Sequence, residues 1–338
     1  MIARPPRTAS HIEFRPVPWL RNRHLQTLAP FLWPQGSEES PVDERVVQVS
    51  SESAVAVRVG APLQRPRGSL LLVHGIAGSA SARYMRRTAR LARQEGWWTA
   101  RMNCRNAGGT ERLSGTLFNA GQSDDIGSVF EAFETWELPR PYAAVGFSLG
   151  GNMVLRYAAL AGSGSRADGV AALNPPVELE TCSRALEDPG NRAYGLYFTF
   201  ELCRQLARIR RHREVPGPPA AWREIRTVRN FDELFVAPDA GYPSASAYYA
   251  AASAGPCLDG LKVPALVVSA ADDPFVPVAL FEPLREVAPG RLEIVHPSRG
   301  GHLGYWQSGR PRFWAAPVVL DYLDRTLDGR RPRAVVSR

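Results

Sequence analysis

Ser148 is the residue of this chain best placed by its neighbours to act as a nucleophile. It is the centre of Gly146-Phe147-Ser148-Leu149-Gly150, which fits the pattern G-x-S-x-G. The apolar run at 143–145 predicts a buried strand before it. The residues after it predict a helix, since apolar side chains recur at helical spacing at Met153, Val154, Tyr157 and Leu160. A tight turn between strand and helix exposes the serine hydroxyl, and the two glycines leave room for neighbouring backbone. The alternative interpretation is a glycine-rich turn whose serine caps the helix.

A serine hydroxyl needs a base to remove its proton and an acid to orient that base. After a strand-turn-helix nucleophile these partners follow in the order acid, then histidine. Asp273 comes just after a predicted strand at 263–269, where active sites of open parallel sheets lie. We predict Asp273 as the acid, with Asp272 as the alternative. His302 lies on a glycine-flanked loop after the last predicted strand, and we predict it as the base, with His296 as its competitor.

The segment His74-Gly75-Ile76-Ala77-Gly78 follows a continuous apolar run at 68–73. Attack on a carbonyl creates an oxyanion, which two backbone N–H groups usually stabilise. The residue after the nucleophile, Leu149, is expected to supply one N–H group, and Ile76 the other. His74 is expected to orient this loop rather than to transfer protons.

These residues predict hydrolysis of carboxylic esters through an acyl-enzyme intermediate, with no metal or organic cofactor. A thioesterase or haloperoxidase-like enzyme could use the same three side chains on another substrate. A non-catalytic binding protein that kept the fold is a further alternative. Dehalogenase chemistry is disfavoured, because those enzymes place an aspartate where Ser148 stands.

Apolar runs alternate with helical patterns along most of the chain, which predicts an α/β fold with a mainly parallel sheet and helices on both faces. We divide the chain into an N-terminal arm (1–44), a first core segment (45–173), an inserted cap (174–259), a second core segment (260–327) and a basic tail (328–338), which we expect to be disordered. Residues 45–50 and 53–60 predict antiparallel strands. Helices are predicted at 84–95, 124–136, 194–213, 242–252, 277–287 and 312–327. His24 in the arm is expected to be structural.

The composition is that of a soluble globular protein without an apolar run long enough to cross a membrane. The first residues lack a signal-peptide core, which favours the cytoplasm. The four cysteines form no C-x-x-C pair, so neither disulfides nor a zinc site is expected. The net charge of +8 comes almost wholly from arginine, since Lys262 is the only lysine, and we expect no nucleic-acid partner. No pattern indicates an oligomeric state.

The net positive charge also allows a weak attraction to anionic membrane surfaces. An arginine cluster at 204–213 predicts either a solvated helix face or a patch for lipid headgroups or an acidic partner. Its members are Arg204, Arg208, Arg210, Arg211 and Arg213.

Five segments together resemble the YheT-like group of α/β-hydrolases, which is related to the ABHD acyl hydrolases. They are 22–27 (NRHLQT), 74–79 (HGIAGS), 146–152 (GFSLGGN), 272–275 (DDPF) and 301–304 (GHLG). The resemblance implies an α/β-hydrolase fold and a carboxylesterase or lipase-like enzyme that acts on small acyl esters or lipids. It places the three catalytic roles on Ser148, Asp273 and His302. The loops at 104–109 and 118–121 depart from the family pattern. The resemblance therefore supports the assignment of the triad more strongly than the assignment of a substrate.

Overall fold

The computed structural model describes residues 13–32, 42–218 and 225–327. Eight strands form one sheet in the order β1-β2-β4-β3-β5-β6-β7-β8. Strand β2 pairs antiparallel with β1 and β4, and every pairing from β4 to β8 is parallel. The predicted mainly parallel sheet is therefore confirmed. The strands are β1 (Asp43–Ser50), β2 (Ser53–Gly60), β3 (Gly68–Val73), β4 (Trp97–Asn103), β5 (Tyr142–Phe147), β6 (Gly169–Leu173), β7 (Ala265–Val268) and β8 (Leu292–Val295).

The central strands are apolar along their whole length because helices cover both faces of the sheet. Every residue of β3 is buried, and its side chains alternate between two cores: Leu70 and Leu72 enter one, Leu71 and Val73 the other. Helices α2 (Arg83–Gln94) and α10 (Ala315–Leu327) pack on the first face. Helices α3 (Asp124–Thr135) and α4 (Leu149–Ala161) pack on the second.

Between β6 and β7, the residues that the structure describes form helices and no strand. This segment contains α5 (Leu179–Ala185), α6 (Arg192–Ile209), α7 (Val228–Phe231), a π-helical segment (Asp232–Val236), α8 (Ala237–Asp239) and α9 (Ala245–Ala252). These elements share a third core of buried side chains that includes Leu206, Phe235 and Tyr248. The division into arm, core, cap and tail stays a prediction, and the tail lies outside the described residues.

One predicted helix is wrong. Residues 277–287 form two short 3₁₀ turns, Val278–Phe281 and Pro283–Glu286, instead of one α-helix. Pro283 has no N–H to donate and its ring would clash with the preceding turn, so a regular α-helix through this position is disfavoured. The last helix, predicted from 312, begins at Ala315.

The arginine cluster at 204–213 is largely paired within the chain. Arg208 contacts Glu111 at 2.6 Å, and Arg213 contacts Asp239 at 2.9 Å. Arg204 pairs with Glu201 on the same helix, and Arg210 lies over the ring of Phe235. Among the residues that the structure describes, no helix is long and apolar enough to cross a membrane.

Candidate active site

Ser148 lies at the turn between β5 and α4 with the backbone angles φ 51° and ψ −123°. A non-glycine residue with positive φ is strained, and such strain persists only where surrounding structure holds it. Here Ser148 N–H donates to the Leu173 carbonyl at 2.8 Å, while its carbonyl accepts from Gly151 N–H at 2.7 Å. A side chain at Gly150 would collide with the carbonyl oxygens of Val73 and His74. The predicted turn geometry is therefore present.

His302 connects Ser148 to Asp273 by two hydrogen bonds. Its Nε2 lies 2.9 Å from Ser148 Oγ, and its Nδ1 lies 2.8 Å from Asp273 Oδ2. All three residues are buried, at 7–9% exposure. Since a carboxylate can only accept, Nδ1 carries the proton and Nε2 is free to accept the serine hydrogen. The three predicted residues are thus brought together in the arrangement that proton transfer from serine requires.

The Asp273 carboxylate has four hydrogen-bond donors around it. Oδ1 accepts from the backbone N–H groups of Phe275 at 2.8 Å and Val276 at 3.1 Å. Oδ2 accepts from His302 and from Asn174 Nδ2, the latter at 2.5 Å. Asn174 follows β6 directly and also donates to the Gly301 carbonyl. Sequence reasoning missed Asn174, although a polar residue just past a buried strand, at the carboxyl edge of the sheet, was a usable signal.

The two competing residues lie elsewhere. Asp272 Oδ1 accepts from the backbone N–H of Gly301 at 2.8 Å, so it braces the loop that carries His302. Burial raises the pKa of this carboxyl. His296 Nδ1 donates to the carbonyl of Ser269 at 2.9 Å, away from Ser148. The geometry therefore favours Asp273 and His302 over both alternatives.

His74 fixes the loop that holds Ile76. Its Nε2 accepts from Cys104 N–H at 3.1 Å, so its proton is on Nδ1, which donates to the Gly75 carbonyl at 2.7 Å. Burial lowers the pKa of His74 to about 4, which keeps the ring neutral. The Gly75 carbonyl also accepts from Gly78 N–H at 3.1 Å. Because C=O and N–H point in opposite directions across a trans peptide, these bonds set the direction of the Ile76 N–H.

The N–H groups of Ile76 and Leu149 have no hydrogen-bond partner within 13–32, 42–218 and 225–327. Leu149 is the first residue of α4, where N–H groups are unpaired and the helix dipole favours negative charge. Both residues line a cavity together with Ser148 and His302. The two amides are thus available for an oxyanion at the serine.

The N-terminal helix α1 (Arg23–Leu32) holds the loop of His302 from outside the sheet. Asn22 Oδ1 caps it by accepting from the N–H of His24 at 2.8 Å. Thr27 Oγ1 accepts from His302 N–H at 2.9 Å. Gln26 accepts from the N–H of Trp306 and donates to its carbonyl, at 2.8 and 3.1 Å. The segment at 22–27 therefore positions His302.

Two cavities meet at Ser148, His302, Ile76 and Phe275. The inner cavity, of about 90 Å³, lies beneath α5 and α9. The outer cavity, of about 690 Å³, lies between α1 and α6. Its walls include Arg83, Tyr84 and three aromatic residues of α6, Tyr194, Tyr197 and Phe198. Phe200, on the same helix, is 60% exposed and lines neither of these two cavities.

His24 also lines the outer cavity, where it stacks on Tyr194 with the ring centroids 5.8 Å apart. Phe118 lines the inner cavity, so the loop at 118–121, which departs from the family pattern, borders the site. The loop at 104–109, which also departs from the family pattern, supports the site indirectly, because the Cys104 N–H donates to His74.

A model of the alpha/beta hydrolase fold matches residues 68–308, and the chain belongs to this family. It is similar to "Putative esterase YheT" of Escherichia coli strain K12, with 29% identity over 95% of this chain and 96% of the relative. It is also similar to "Phospholipase ABHD3" of Homo sapiens, with 26% identity over 73% of this chain and 60% of the relative. The resemblance that the five segments indicated is therefore confirmed.

Solved structures show the same fold at low sequence identity. Est1E from Butyrivibrio proteoclasticus superposes with a TM-score of 0.55 and 13% identity, over 84% of this chain and 99% of that chain. The 2,6-dihydroxy-pseudo-oxynicotine hydrolase superposes with a TM-score of 0.59 and 17% identity, over 90% of this chain and 72% of that chain. At these identities the likeness concerns the fold alone.

Proposed function

We propose that this protein is a serine hydrolase that cleaves carboxylic esters, with small acyl esters or lipids as substrates. The observation that carries the proposal is the continuous hydrogen-bonded chain from Ser148 through His302 to Asp273, at 2.9 and 2.8 Å. The names of the relatives, an esterase and a phospholipase, support the same reaction class.

In the proposed mechanism, His302 Nε2 takes the proton of Ser148 Oγ as that oxygen attacks the ester carbonyl carbon. The N–H groups of Leu149 and Ile76 stabilise the oxyanion. The bond to the alcohol oxygen then breaks, and His302 gives its proton to the leaving alcohol. A water molecule, deprotonated by His302, attacks the acyl-enzyme, and Ser148 leaves with the proton that returns from His302. Asp273 stabilises the positively charged ring throughout.

The proposed mechanism requires no metal or organic cofactor, because His302 carries each transferred proton between Ser148, the leaving alcohol and the attacking water. Among the described residues, no group of three or more His, Cys, Asp or Glu side chains is arranged to hold a metal ion.

Turnover of p-nitrophenyl acetate and butyrate tests the proposal. The wild-type protein should hydrolyse at least one of them, and Ser148→Ala should lose about 10⁴-fold or more in kcat. Ser165→Ala is the matched control, since Ser165 lies in a loop outside both cavities, and it should keep full activity. Equal activity of Ser148→Ala and the wild type would contradict the proposal. Turnover confined to an acyl-thioester series would favour the thioesterase alternative.

A further inference from the structure

The inner cavity combines an apolar wall with a buried polar end. Leu179, Leu202 and Val236 are among the apolar residues that line it. Asp232 and Ser183 line the same space and are 8% and 7% exposed. Burial of a carboxyl group in such a wall costs free energy unless the group is hydrogen-bonded, so a hydrogen-bond partner is expected.

Asp232 has one side-chain partner among the described residues. Its Oδ2 accepts from Tyr249 Oη at 2.6 Å, and Tyr249 Oη lies 3.1 Å from Ser183 Oγ. The Tyr249 proton is committed to Asp232, so Ser183 donates to Tyr249. Arg229, one turn before Asp232, binds Glu180 instead, at 2.6 Å. Asp232 Oδ1 therefore keeps an unused hydrogen-bonding position beside the cavity.

The backbone at Asp232 is also unusual. Asp232 begins the π-helical segment, which interrupts a continuous run of helix from Val228 to Asp239. Single π turns inside helices are rare and frequently lie at functional sites. Burial raises the pKa of Asp232 to about 7, so the carboxylate and the carboxylic acid coexist near neutral pH. A hydroxyl group suits both forms, since it donates to the first and accepts from the second.

The acyl half of an ester fits the inner cavity better than the alcohol half. The leaving alcohol must depart before water attacks, and the acyl group must stay on Ser148 until then. The outer cavity, with about 690 Å³ against about 90 Å³, has the room for an alcohol or headgroup that leaves first.

We propose that the inner cavity binds a short acyl chain that carries a hydroxyl group, and that Asp232, held by Tyr249, is the residue that recognises this hydroxyl. The substrate class is therefore esters of short hydroxy acids rather than of plain alkanoic acids. This inference rests on the proposed function and names the substrate of the same site.

The test compares matched p-nitrophenyl esters that differ by one hydroxyl on the acyl chain: butyrate with 3-hydroxybutyrate, and hexanoate with 6-hydroxyhexanoate. The wild type should prefer the hydroxylated member of at least one pair by 10-fold or more in kcat/KM, since a site built to bind a hydroxyl discriminates against its absence. Asp232→Leu should remove or reverse this preference. Asp232→Asn, which keeps an acceptor oxygen and the shape, should retain part of it.

Glu233→Gln is the matched control. Glu233 is the next residue in the same helical turn and accepts from Ala245 N–H, but it does not line the inner cavity. Its variant should keep the wild-type preference. Equal losses on both members of each pair in Asp232→Leu and Asp232→Asn would assign Asp232 a structural role only and would overturn the inference.

Two further substrates decide the chemistry of the recognised group. If a 6-aminohexanoate ester gives a higher kcat/KM than the 6-hydroxyhexanoate ester, the group that Asp232 recognises is an ammonium group and not a hydroxyl. A hydroxyl preference that appears only when the hydroxyl is on the alcohol half would move recognition to the outer cavity. Either result overturns the inference as stated.

Binding separates this inference from the proposed function. Calorimetry measures the binding of methyl esters to Ser148→Ala and needs no turnover. The esters are compared in two pairs, 6-hydroxyhexanoate with hexanoate and 3-hydroxybutyrate with butyrate. Tighter binding of a hydroxylated ester by 10-fold or more supports the inference even if no ester is hydrolysed by the wild type. Equal binding within both pairs contradicts it even if the wild type is an active esterase.

Discussion

Replacement of Asp273 by asparagine should abolish most of the activity, and the structure gives the reason. Oδ1 of Asp273 faces two backbone donors, the N–H groups of Phe275 and Val276. An asparagine must place its oxygen there, because its NH₂ group cannot accept. The NH₂ group then faces His302 Nδ1, which must become the acceptor. The proton of the ring moves to Nε2, and His302 can no longer accept the proton of Ser148.

The expected loss is about 10³- to 10⁴-fold in kcat, or roughly 4–5.5 kcal/mol of transition-state stabilisation, as for a base held in the wrong tautomer. The new NH₂ group also meets the donor of Asn174, so a modest loss of stability is expected. Circular dichroism and a thermal melt would establish that the variant is folded before its kinetics with p-nitrophenyl esters are compared with those of the wild type.

Asp272→Asn is the control for this experiment. Asp272 accepts from Gly301 N–H, and an asparagine oxygen can accept the same bond, so we expect less than a 10-fold loss. A folded Asp273→Asn that retains activity within 10-fold of the wild type would refute the reasoning. So would an inactive Asp272→Asn beside an active Asp273→Asn.

Three further changes test other parts of the site. His74→Leu removes the bond that sets the Ile76 N–H, so kcat should fall about 10²-fold with KM within a few-fold; unchanged steady-state kinetics would contradict this. Gly75→Ala places a methyl carbon 2.9 Å from Ser148 Cβ and should lower kcat/KM at least 10²-fold, whereas Gly164→Ala, in open space, should not; equal effects would contradict this. Asp232→Asn removes a carboxyl group whose pKa burial raises to about 7, against about 3.9 when unfolded. The folded wild type therefore keeps a proton that the unfolded chain releases, and its stability falls as pH rises from about 4 to 7. Urea unfolding should show the variant gaining up to about 4 kcal/mol relative to the wild type across this window, and no gain would contradict the buried state of Asp232.

The parts of the site that sequence alone predicts are those defined by local pattern. The turn at Ser148 is specified by its two glycines, and the loop at His74 by an apolar strand before it. Asp273 and His302 follow from their order in the chain and their positions after predicted strands. These signals are short local patterns and the order of residues along the chain, so no knowledge of packing is needed to find them.

The residues that sequence reasoning missed act across long separations. Asn174 reaches Asp273 from 99 positions away, and Thr27 reaches the backbone of His302 from 275 positions away. Tyr249 lies in a helix predicted at 242–252, whereas Asp232 lies in a stretch for which the sequence predicts no helix. Their contacts depend on how helices pack over the sheet, which periodicity does not fix. The predicted helix at 277–287 is wrong for a local reason, because Pro283 disfavours a regular α-helix through its position.

The most direct test of the account is whether Ser148 is the activated nucleophile. The folded protein is treated with a fluorophosphonate, which reacts with activated serines, and the labelled peptide is mapped by mass spectrometry. The account predicts stoichiometric labelling at Ser148, slowed strongly in Asp273→Asn and absent in Ser148→Ala. Labelling at another residue, or no labelling of folded wild-type protein, would contradict it.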